Sequence, residues 1–402
     1  MGSPRLDKIS SERTQVSSYP GTSNSDFIHL LGDINWTGEH LHQNQNHRTK
    51  TIYQGPSLTH SAATMDPCFQ TVEVDEITEC YRIVQRLGHG TYGQVLLAQD
   101  KITGKPLALK LVRKDRTKIE AFLMELSLSI SLSENLGFIT TYPIFINTMD
   151  YYVMTQELAP AGTLHHLIQS EVGLPEDVVK RCAMQISRAL DFMHEKGLVH
   201  RDLKPDNVLL MDKDCHEIKL GDFGLTQAVG SLVGSMSHII PYMSPELCDL
   251  RDGEYLILFP GIDTWAFGVL LFVILTGYFP WRRAIHADKM YRDYVSWQSS
   301  PSHFPPPVVW REFTPEAITM LSQLLTQDPT SRHSVLSILN YLNFPWKADV
   351  YEVGDTDEEQ FQVVNVPGEE ETTPCAAIEE NNPVFMVLEE HFTLTLGSEV
   401  EI

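Results

Sequence analysis

The most informative segment of the sequence is His200-Arg201-Asp202-Leu203-Lys204-Pro205-Asp206-Asn207. Twenty residues after Asp202 comes Asp222-Phe223-Gly224, which follows a strand-like segment at 218–220. Three more motifs follow in the chain: Ser244-Pro245-Glu246, Asp263-Thr264-Trp265-Ala266-Phe267-Gly268 at the head of an apolar helix, and Asp328-Pro329-Thr330-Ser331-Arg332. Five such motifs in this order are not expected by chance, so they indicate one defined fold.

A glycine-rich turn, Gly88-His89-Gly90-Thr91-Tyr92-Gly93-Gln94-Val95, lies upstream between two strand-like segments at 81–84 and 94–98. Because glycine has no Cβ, backbone N–H groups in such a turn can approach phosphate oxygens. By itself this pattern is a weak signal for a nucleotide. A Rossmann fold is excluded, because a second strand follows the turn where that fold needs a helix.

A lysine, Lys110, lies in the next predicted strand, 107–112, and a helical pattern follows at about 118–133. A buried ammonium group needs a carboxylate partner. Glu125 and Glu120 on that helix both qualify, and Glu125 has the more apolar neighbours. A surface lysine with an ordinary helix glutamate is the alternative interpretation of the same residues.

The order of patterns predicts an α+β fold with a small β-rich lobe and a larger α-helical lobe. After Tyr151 helical patterns dominate; the segment 174–196 opens with Pro175, Glu176 and Asp177 and stops at Gly197, which are typical helix start and stop signals. We therefore predict a folded domain at 76–348, with an N-lobe at about 76–158 and a C-lobe at about 159–348.

The two ends of the chain differ in composition from this domain. Residues 1–75 are rich in Ser, Thr, Asn, Gln and His and predict a disordered leader. Residues 349–402 predict an acidic, mostly disordered tail; from residue 351 onward it holds 14 Asp or Glu and no Lys or Arg. The tail is either simply solvated or has an autoinhibitory or partner-binding role.

The overall composition excludes several classes of protein. A net charge of −23 argues against binding to nucleic acid or anionic membranes. No apolar run reaches the roughly 18 residues of a membrane span, and the first residues lack a signal-peptide core. The six cysteines show no C-x-x-C spacing, which argues against a disulfide framework or a zinc site. We expect a cytoplasmic protein, with nuclear access left open.

In motif order and spacing, residues 80–347 resemble the eukaryotic protein kinase family. The resemblance implies a bilobal kinase fold, ATP and Mg²⁺ as cofactors, and protein substrates with Ser or Thr acceptors. Lys204 after Asp202 favours Ser/Thr over Tyr acceptors, because the tyrosine-kinase pattern has Ala or Arg nearby.

The resemblance also implies a role for each motif residue. Asp202 accepts the proton of the substrate hydroxyl and orients its oxygen, and Lys204 neutralises the transferred phosphate. Asn207 and Asp222 are the implied Mg²⁺ ligands. Lys110, held by its glutamate, binds the α and β phosphates. The implied catalytic set is Asp202, Lys204, Lys110 and Glu125.

The implied ATP site combines the glycine-rich turn with the adenine pocket. Val95, Ala108 and Leu209 would enclose the adenine, and the backbone of the hinge 157–159 would bond it, with Gln156 at the gatekeeper position. The full implied set is Leu87, Gly88, His89, Gly90, Thr91, Tyr92, Gly93, Gln94, Val95, Ala108, Lys110, Glu157, Ala159 and Leu209. Structural roles are implied for Asp263, which braces the catalytic loop, for a Glu246–Arg332 ion pair, and for His200 in the core.

Within the family, Gln156-Glu157-Leu158-Ala159-Pro160-Ala161-Gly162 and Ile240-Pro241-Tyr242 are similar to the SH3-binding-domain kinases. SH3 binding itself is not supported. Pro305-Pro306-Pro307 is the only proline cluster, and it falls inside the predicted domain. An SH3 ligand needs a P-x-x-P motif with a flanking basic residue.

Two positions depart from the general kinase pattern. Ile239 replaces the Thr that bonds the catalytic Asp and Lys, and Ser129 replaces a bulky apolar residue expected to stack on Phe223. Both changes leave room for an alternative, a weakly active or inactive pseudokinase that acts as a nucleotide-binding scaffold. Phosphorylation at Ser231, Ser235 or Ser237, held by Arg201, is a further hypothesis.

Overall fold

The computed structural model describes residues 69–90, 92–170, 172–235 and 241–348. Over these ranges the chain forms a β-rich lobe followed by an α-helical lobe, which confirms the predicted α+β bilobal class. Most of the leader, the acidic tail, Thr91, Ser237 and Ile239 lie outside the described residues. None of the helices in the described ranges has the length and apolar character needed to cross a membrane.

A six-stranded sheet forms the first lobe, in the order β1-β5-β6-β4-β3-β2. All neighbouring strands are antiparallel except β1 and β5, which are parallel. The strands are β1 Gln70–Glu73, β2 Tyr81–Gly90, β3 Gly93–Asp100, β4 Pro106–Arg113, β5 Thr141–Asn147 and β6 Tyr151–Gln156. Strand β4, which contains Lys110, lies between β3 and β6 and is therefore an interior strand of the sheet.

Strand β1 lies inside the segment that the sequence assigns to the disordered leader. It pairs with β5, and the Phe69 ring just before it meets the Phe145 ring edge-on at 6.2 Å between centroids. Four residues are too few to show an alternating pattern, which is why the sequence hides this strand. The folded region therefore begins before residue 76.

Helix α1, Ile119–Leu132, packs against β5 and β6. Its residues Phe122, Leu126 and Ile130 are buried, and their spacing of four places them along one face of the helix. The Phe122 and Phe145 rings lie 5.2 Å apart between centroids. This packing fixes the rotation of α1, and therefore the direction in which Glu125 points.

The second lobe is built around one helix that is apolar on all sides. Helix α4 has every residue from Ile262 to Thr276 buried, as expected for a helix inside a core. It ends at Gly277, whose φ of 75° is the left-handed conformation that glycine adopts easily at a helix end. The helices of the lobe are α2 Glu176–Glu195, α3 Pro245–Cys248, α4 Gly261–Thr276, α5 Lys289–Ser299 and α6 Pro315–Leu324.

The second lobe also contains three two-stranded ribbons. They pair β7 Leu198–Val199 with β10 Gln227–Ala228, β8 Val208–Leu210 with β9 Ile218–Leu220, and β11 Leu232–Gly234 with β12 Tyr255–Ile257. The segment 200–207 runs from the end of β7 to the start of β8, and Asp222 follows β9 by two residues. The ribbons thus bring together two motifs that are separated in sequence.

Candidate active site

Lys110 makes two ion pairs. Its Nζ lies 2.6 Å from Glu125 Oε1 and 2.8 Å from Asp222 Oδ1. Glu120, the competing partner, is exposed at the start of α1. The structure therefore selects Glu125, because the packing of α1 turns that residue toward the sheet.

The close approach of these three charged groups shifts the pKa values of Lys110, Glu125 and Asp222. Burial by itself disfavours the Lys110 ammonium, but the charges of Asp222 and Glu125 outweigh it and raise the pKa of Lys110. Partial burial opposes ionisation of Asp222, whose side chain stays 46% exposed, yet the charge of Lys110 lowers the pKa of Asp222 to about 2. Burial raises the pKa of Glu125 against the attraction of Lys110. Lys110 and Asp222 are therefore both charged at neutral pH.

Asp202 is held in place by two other predicted site residues. Lys204 Nζ lies 2.9 Å from Asp202 Oδ2 and 3.2 Å from Oδ1. Asn207 Nδ2 donates to the backbone oxygen of Asp202 at 2.7 Å and to Oδ2 at 3.0 Å. Burial opposes the charge on Lys204, but Asp202 raises the pKa of Lys204 overall. The three side chains form one cluster with a fixed carboxylate at its centre.

The two implied metal ligands fit a hard divalent cation. Because the Asn207 amide nitrogen is used on Asp202, its carbonyl oxygen is left as the group that can face a metal. The Asp222 side chain is partly exposed and carries a negative charge. Carboxylate and amide oxygens are the ligands that Mg²⁺ prefers.

The buried carboxylate of Asp263 holds the backbone at the start of the segment 200–207. Asp263, at the first turn of α4, accepts hydrogen bonds from the backbone N–H groups of His200 at 2.7 Å and Arg201 at 2.8 Å, and from His194 Nε2 at 3.0 Å. His200 is fully buried, its Nδ1 accepting from the Asp202 N–H, so it has the structural place expected of it.

The glycine-rich turn joins β2 to β3 in the described structure. Leu87, Gly88, His89 and Gly90 end β2, and Gly93, Gln94 and Val95 begin β3, with Gly90 opposite Gly93. Tyr92 is exposed between them. A Cβ on Gly93 would overlap the Leu111 carbonyl oxygen, so this glycine is required by the close approach of β3 to β4.

The implied adenine residues come from strands on both lobes. Val95 pairs with Lys110 in the sheet, and Ala108 pairs with Gln156 just before the hinge. Leu209 lies in β8 and pairs with Lys219 of β9. The Ala159 carbonyl oxygen accepts from the Gly162 N–H at 3.2 Å. The roles of these residues in binding ATP remain predictions.

The structure adds a hinge contact that the sequence reasoning missed. Lys219 Nζ lies 2.6 Å from Glu157 Oε1, and the same oxygen accepts from the Thr140 N–H at 2.6 Å. Burial raises the pKa of Glu157, but Lys219 and Thr140 lower it overall. The sequence does hold a signal for this contact: Lys219 lies between Ile218 and Leu220 in a predicted strand, and a lysine in an apolar strand needs a partner for its charge.

The implied pair between Glu246 and Arg332 is present and bidentate. The two contacts are 2.5 Å and 2.6 Å, and the Arg332 side chain is 1% exposed. Arg332 also donates to the Gly261 carbonyl oxygen at 3.0 Å and lies over the Trp265 ring. It therefore links α3 to the start of α4.

Ser129, one of the two departures from the kinase pattern, is buried. Its Oγ donates to the Glu125 carbonyl oxygen at 2.7 Å, within α1. The Phe223 ring packs edge-on near Phe138 and His200, at 5.9 Å and 5.6 Å between centroids. Phe223 thus has aromatic neighbours from other elements.

The family profile described as "Protein kinase domain" matches residues 81–346, well over half of the chain. The chain belongs to the protein kinase family. Membership implies use of ATP and a divalent metal in general, and protein substrates. The match covers both lobes and all the motifs of the site.

Comparison with curated relatives assigns this kinase to the serine/threonine type. It is 42% identical to serine/threonine-protein kinase SBK1 of Danio rerio, over 75% of this chain and 77% of that protein. It is 41% identical to serine/threonine-protein kinase SBK2 of Homo sapiens, over 73% and 86%. It is 34% identical to serine/threonine-protein kinase meng-po of Drosophila melanogaster, over 66% and 58%. The chain is a serine/threonine protein kinase, and its likeness to SBK1 and SBK2 confirms the affinity that the hinge motif predicts.

Proposed function

We propose that this kinase transfers the γ-phosphate of ATP to Ser or Thr hydroxyls, with Asp202 orienting the hydroxyl and accepting its proton. The observation that carries the proposal is the fixed Asp202 carboxylate, held by Lys204 and Asn207 at 2.9–3.2 Å. Phosphoryl transfer depends mainly on positioning and on neutralising charge, and this cluster supplies both.

The remaining residues hold the donor. Lys110, already bridging Glu125 and Asp222, is placed to bind the α and β phosphates as a permanent cation. Mg²⁺ held by Asn207 and Asp222 would neutralise charge on the phosphates. Lys204, with a raised pKa, stays charged beside the transferred group. The ion pair between Lys110 and Asp222 joins the lysine of β4 to the segment 222–224.

The test is transfer of labelled phosphate from ATP, with Mg²⁺, to a mixed protein substrate. The Asp202→Asn variant keeps the size of the side chain but loses the base, so the rate should fall by about 10²–10⁴-fold. Asp150→Asn is the matched control, because that aspartate is exposed in the turn between β5 and β6. Labelled phosphoserine or phosphothreonine should be made by the wild type and the control.

Equal activity of Asp202→Asn and wild type would refute the assigned role of Asp202. No phosphate transfer by the wild type or by either variant, together with a rise in melting temperature on adding MgATP, would favour the nucleotide-binding scaffold. In that case Ile239→Thr is the first variant to test for a gain of activity, because it supplies the hydroxyl that the family pattern has at that position.

A further inference from the structure

An exposed group of cations lies on the second lobe, in the loop before α5 and in the first half of that helix. Residues 281–293 hold four Lys or Arg against two Asp, in a chain whose net charge is −23. Neither the Arg282 nor the Arg283 side chain forms an ion pair within the described residues. The basic cluster, as we call this surface, consists of Arg282, Arg283, Lys289 and Arg292, and all four are exposed.

Asp288 joins the loop part of the basic cluster to its helix part. Its Oδ2 accepts from the backbone N–H groups of Arg282 at 3.0 Å and Arg283 at 3.1 Å. Its Oδ1 accepts from the N–H of the third residue of α5 at 3.1 Å, so the same carboxylate caps that helix. Lys289 pairs with Asp293 at 2.6 Å but is 79% exposed. A surface pair of this kind is weak and leaves the lysine open to a second carboxylate.

The basic cluster adjoins the segment that leads to the active site. Trp281 Nε1, just before the first arginine, donates to the Pro241 carbonyl oxygen at 3.3 Å. Burial, followed by the charges of Asp206 and Asp202, raises the pKa of Tyr242, the next residue of that segment. An acidic group bound at the cluster would therefore lie beside the path by which a protein substrate reaches Asp202.

The last described residues of the chain lie beside elements that pack on α5. Lys347 forms a β-bridge with Phe313. The Phe313 ring lies 6.0 Å from the Trp310 ring, and Trp310 stacks on Tyr294 of α5 at 4.8 Å between centroids. The acidic tail thus leaves the folded domain on the side of the lobe that carries the basic cluster.

We propose that the tail segment Asp355-Thr356-Asp357-Glu358-Glu359 docks on the basic cluster and limits the access of protein substrates to the active site. Its four carboxylates match four cations, and the tail from residue 351 onward has no Lys or Arg to neutralise them. An extended chain spans about 3.3 Å per residue, so residues 348–359 can reach across about 35 Å. Helix α5, with 11 residues, is only about 17 Å long. The inhibitory part rests on the proposed kinase function.

The first lobe offers a second basic segment, which is the competing site for the tail. Residues 113–118 hold four Lys or Arg against one Asp. Arg113 is already held by Asp115 through two contacts of 2.9 Å and 2.6 Å. This segment precedes α1 on the other lobe, whereas the tail leaves the domain beside α5. The exit point therefore favours the basic cluster.

The test is zero-length crosslinking of the full chain with a water-soluble carbodiimide, which joins a lysine amine to a carboxylate in contact with it. After digestion of the monomer-sized band, mass spectrometry should show Lys289 joined to a carboxylate of residues 355–359. Adding NaCl to about 0.5 M should remove most of this link, because the screening length falls to about 4 Å.

Two double variants of the full chain separate docking from chance contact. Arg282→Gln with Arg283→Gln keeps the crosslinked lysine and every tail carboxylate, so the yield of the link should fall about fivefold through the loss of two charge contacts. Arg86→Gln with Arg188→Gln is the matched control, because both arginines are exposed on other elements. The control should keep the wild-type yield.

Four results would overturn the docking. They are the absence of a link at Lys289, equal yields from the two double variants, a link from the tail segment to Lys118 in its place, and a link found only in dimer-sized species. The wild-type map and its salt dependence decide the matter even where a variant folds poorly.

Phosphate transfer tests the inhibitory part. A full chain with Asp355→Asn, Asp357→Asn, Glu358→Gln and Glu359→Gln should label a dilute mixed protein substrate about two- to fivefold faster than wild type, with an unchanged KM for ATP. An unchanged rate would refute inhibition by the tail. Absence of transfer by both chains would count against the proposed function, while the crosslink, which needs no activity, would still decide the docking.

Discussion

At the residue scale, the site contains two strained backbone positions. Arg201 and Asp222 have φ values of 70° and 60°, which side-chain-bearing residues rarely adopt. Such positions cost on the order of 1–3 kcal/mol each and persist only when neighbours hold them. Asp263 does this for Arg201 by accepting its N–H, and Lys110 binds the Asp222 side chain.

The Lys219–Glu157 pair gives a prediction at the same scale. Lys219→Met leaves the Glu157 carboxylate largely buried without its cation, so we expect the free energy of unfolding to fall by about 2–3 kcal/mol. Denaturant unfolding of the variant and the wild type measures the difference. Glu157 keeps 19% exposure, which is why the expected loss is below that of a fully buried pair.

The double variant Lys219→Met with Glu157→Gln is the control for this pair. Because it removes both charges, it should recover much of the stability lost in the single variant. A double variant no more stable than Lys219→Met would show that the ion pair is not what stabilises the hinge.

At the scale of elements, the hairpin of β2 and β3 uses its glycines for different purposes. A Cβ added to Gly93 would overlap the Leu111 carbonyl oxygen of β4, whereas one added to Gly90 meets nothing within 4 Å. Gly93 therefore serves the packing of the sheet, and Gly90 faces open space. The two positions make a matched pair for mutation.

We predict that Gly93→Ala lowers the melting temperature and weakens ATP binding, because β3 must move away from β4 to make room. Gly90→Ala should leave the melting temperature within about 1–2 °C of wild type, since a surface change of this kind alters stability little. Thermal unfolding and a nucleotide titration measure both effects. Equal destabilisation by the two variants would contradict this division of roles.

At the scale of the whole molecule, Arg332 connects segments far apart in the chain. It pairs with Glu246, 86 residues away, and with the Gly261 carbonyl oxygen, 71 residues away. Arg332→Ala leaves the Glu246 carboxylate without its cation, and we expect a loss of about 3–5 kcal/mol in the free energy of unfolding. Arg116→Ala, at a side chain that is 55% exposed, is the control. A loss no larger than that of the control would refute the pair's structural role.

Stability should also depend on acid pH through Asp222. Its pKa falls from 3.8 to about 2 on folding, so its charged form stabilises the folded state above about pH 4. That contribution is lost as the pH falls from about 4 toward 2. We predict that the stability difference between wild type and Asp222→Asn shrinks over this range. An unchanged difference down to pH 2 would contradict the lowered pKa.

The family, the two lobes and the types of side chain at the site can all be predicted from the amino-acid sequence. These follow from local signals: motif spacing around Asp202 and Asp222, the apolar run of α4, and the start and stop signals of α2, which lies within two residues of its predicted bounds. It could not reveal β1, because four residues that pair with a distant strand carry no periodic signal of their own.

Which charged groups meet depends on tertiary packing. Glu125 and Glu120 were both candidates for Lys110 until the packing of Phe122 fixed the rotation of α1. The Lys219–Glu157 pair spans 62 residues, and Gln185 reaches the Cys215 carbonyl oxygen only because α2 packs against the β8–β9 loop. Contacts of this kind depend on how whole elements pack, and no local pattern records that packing.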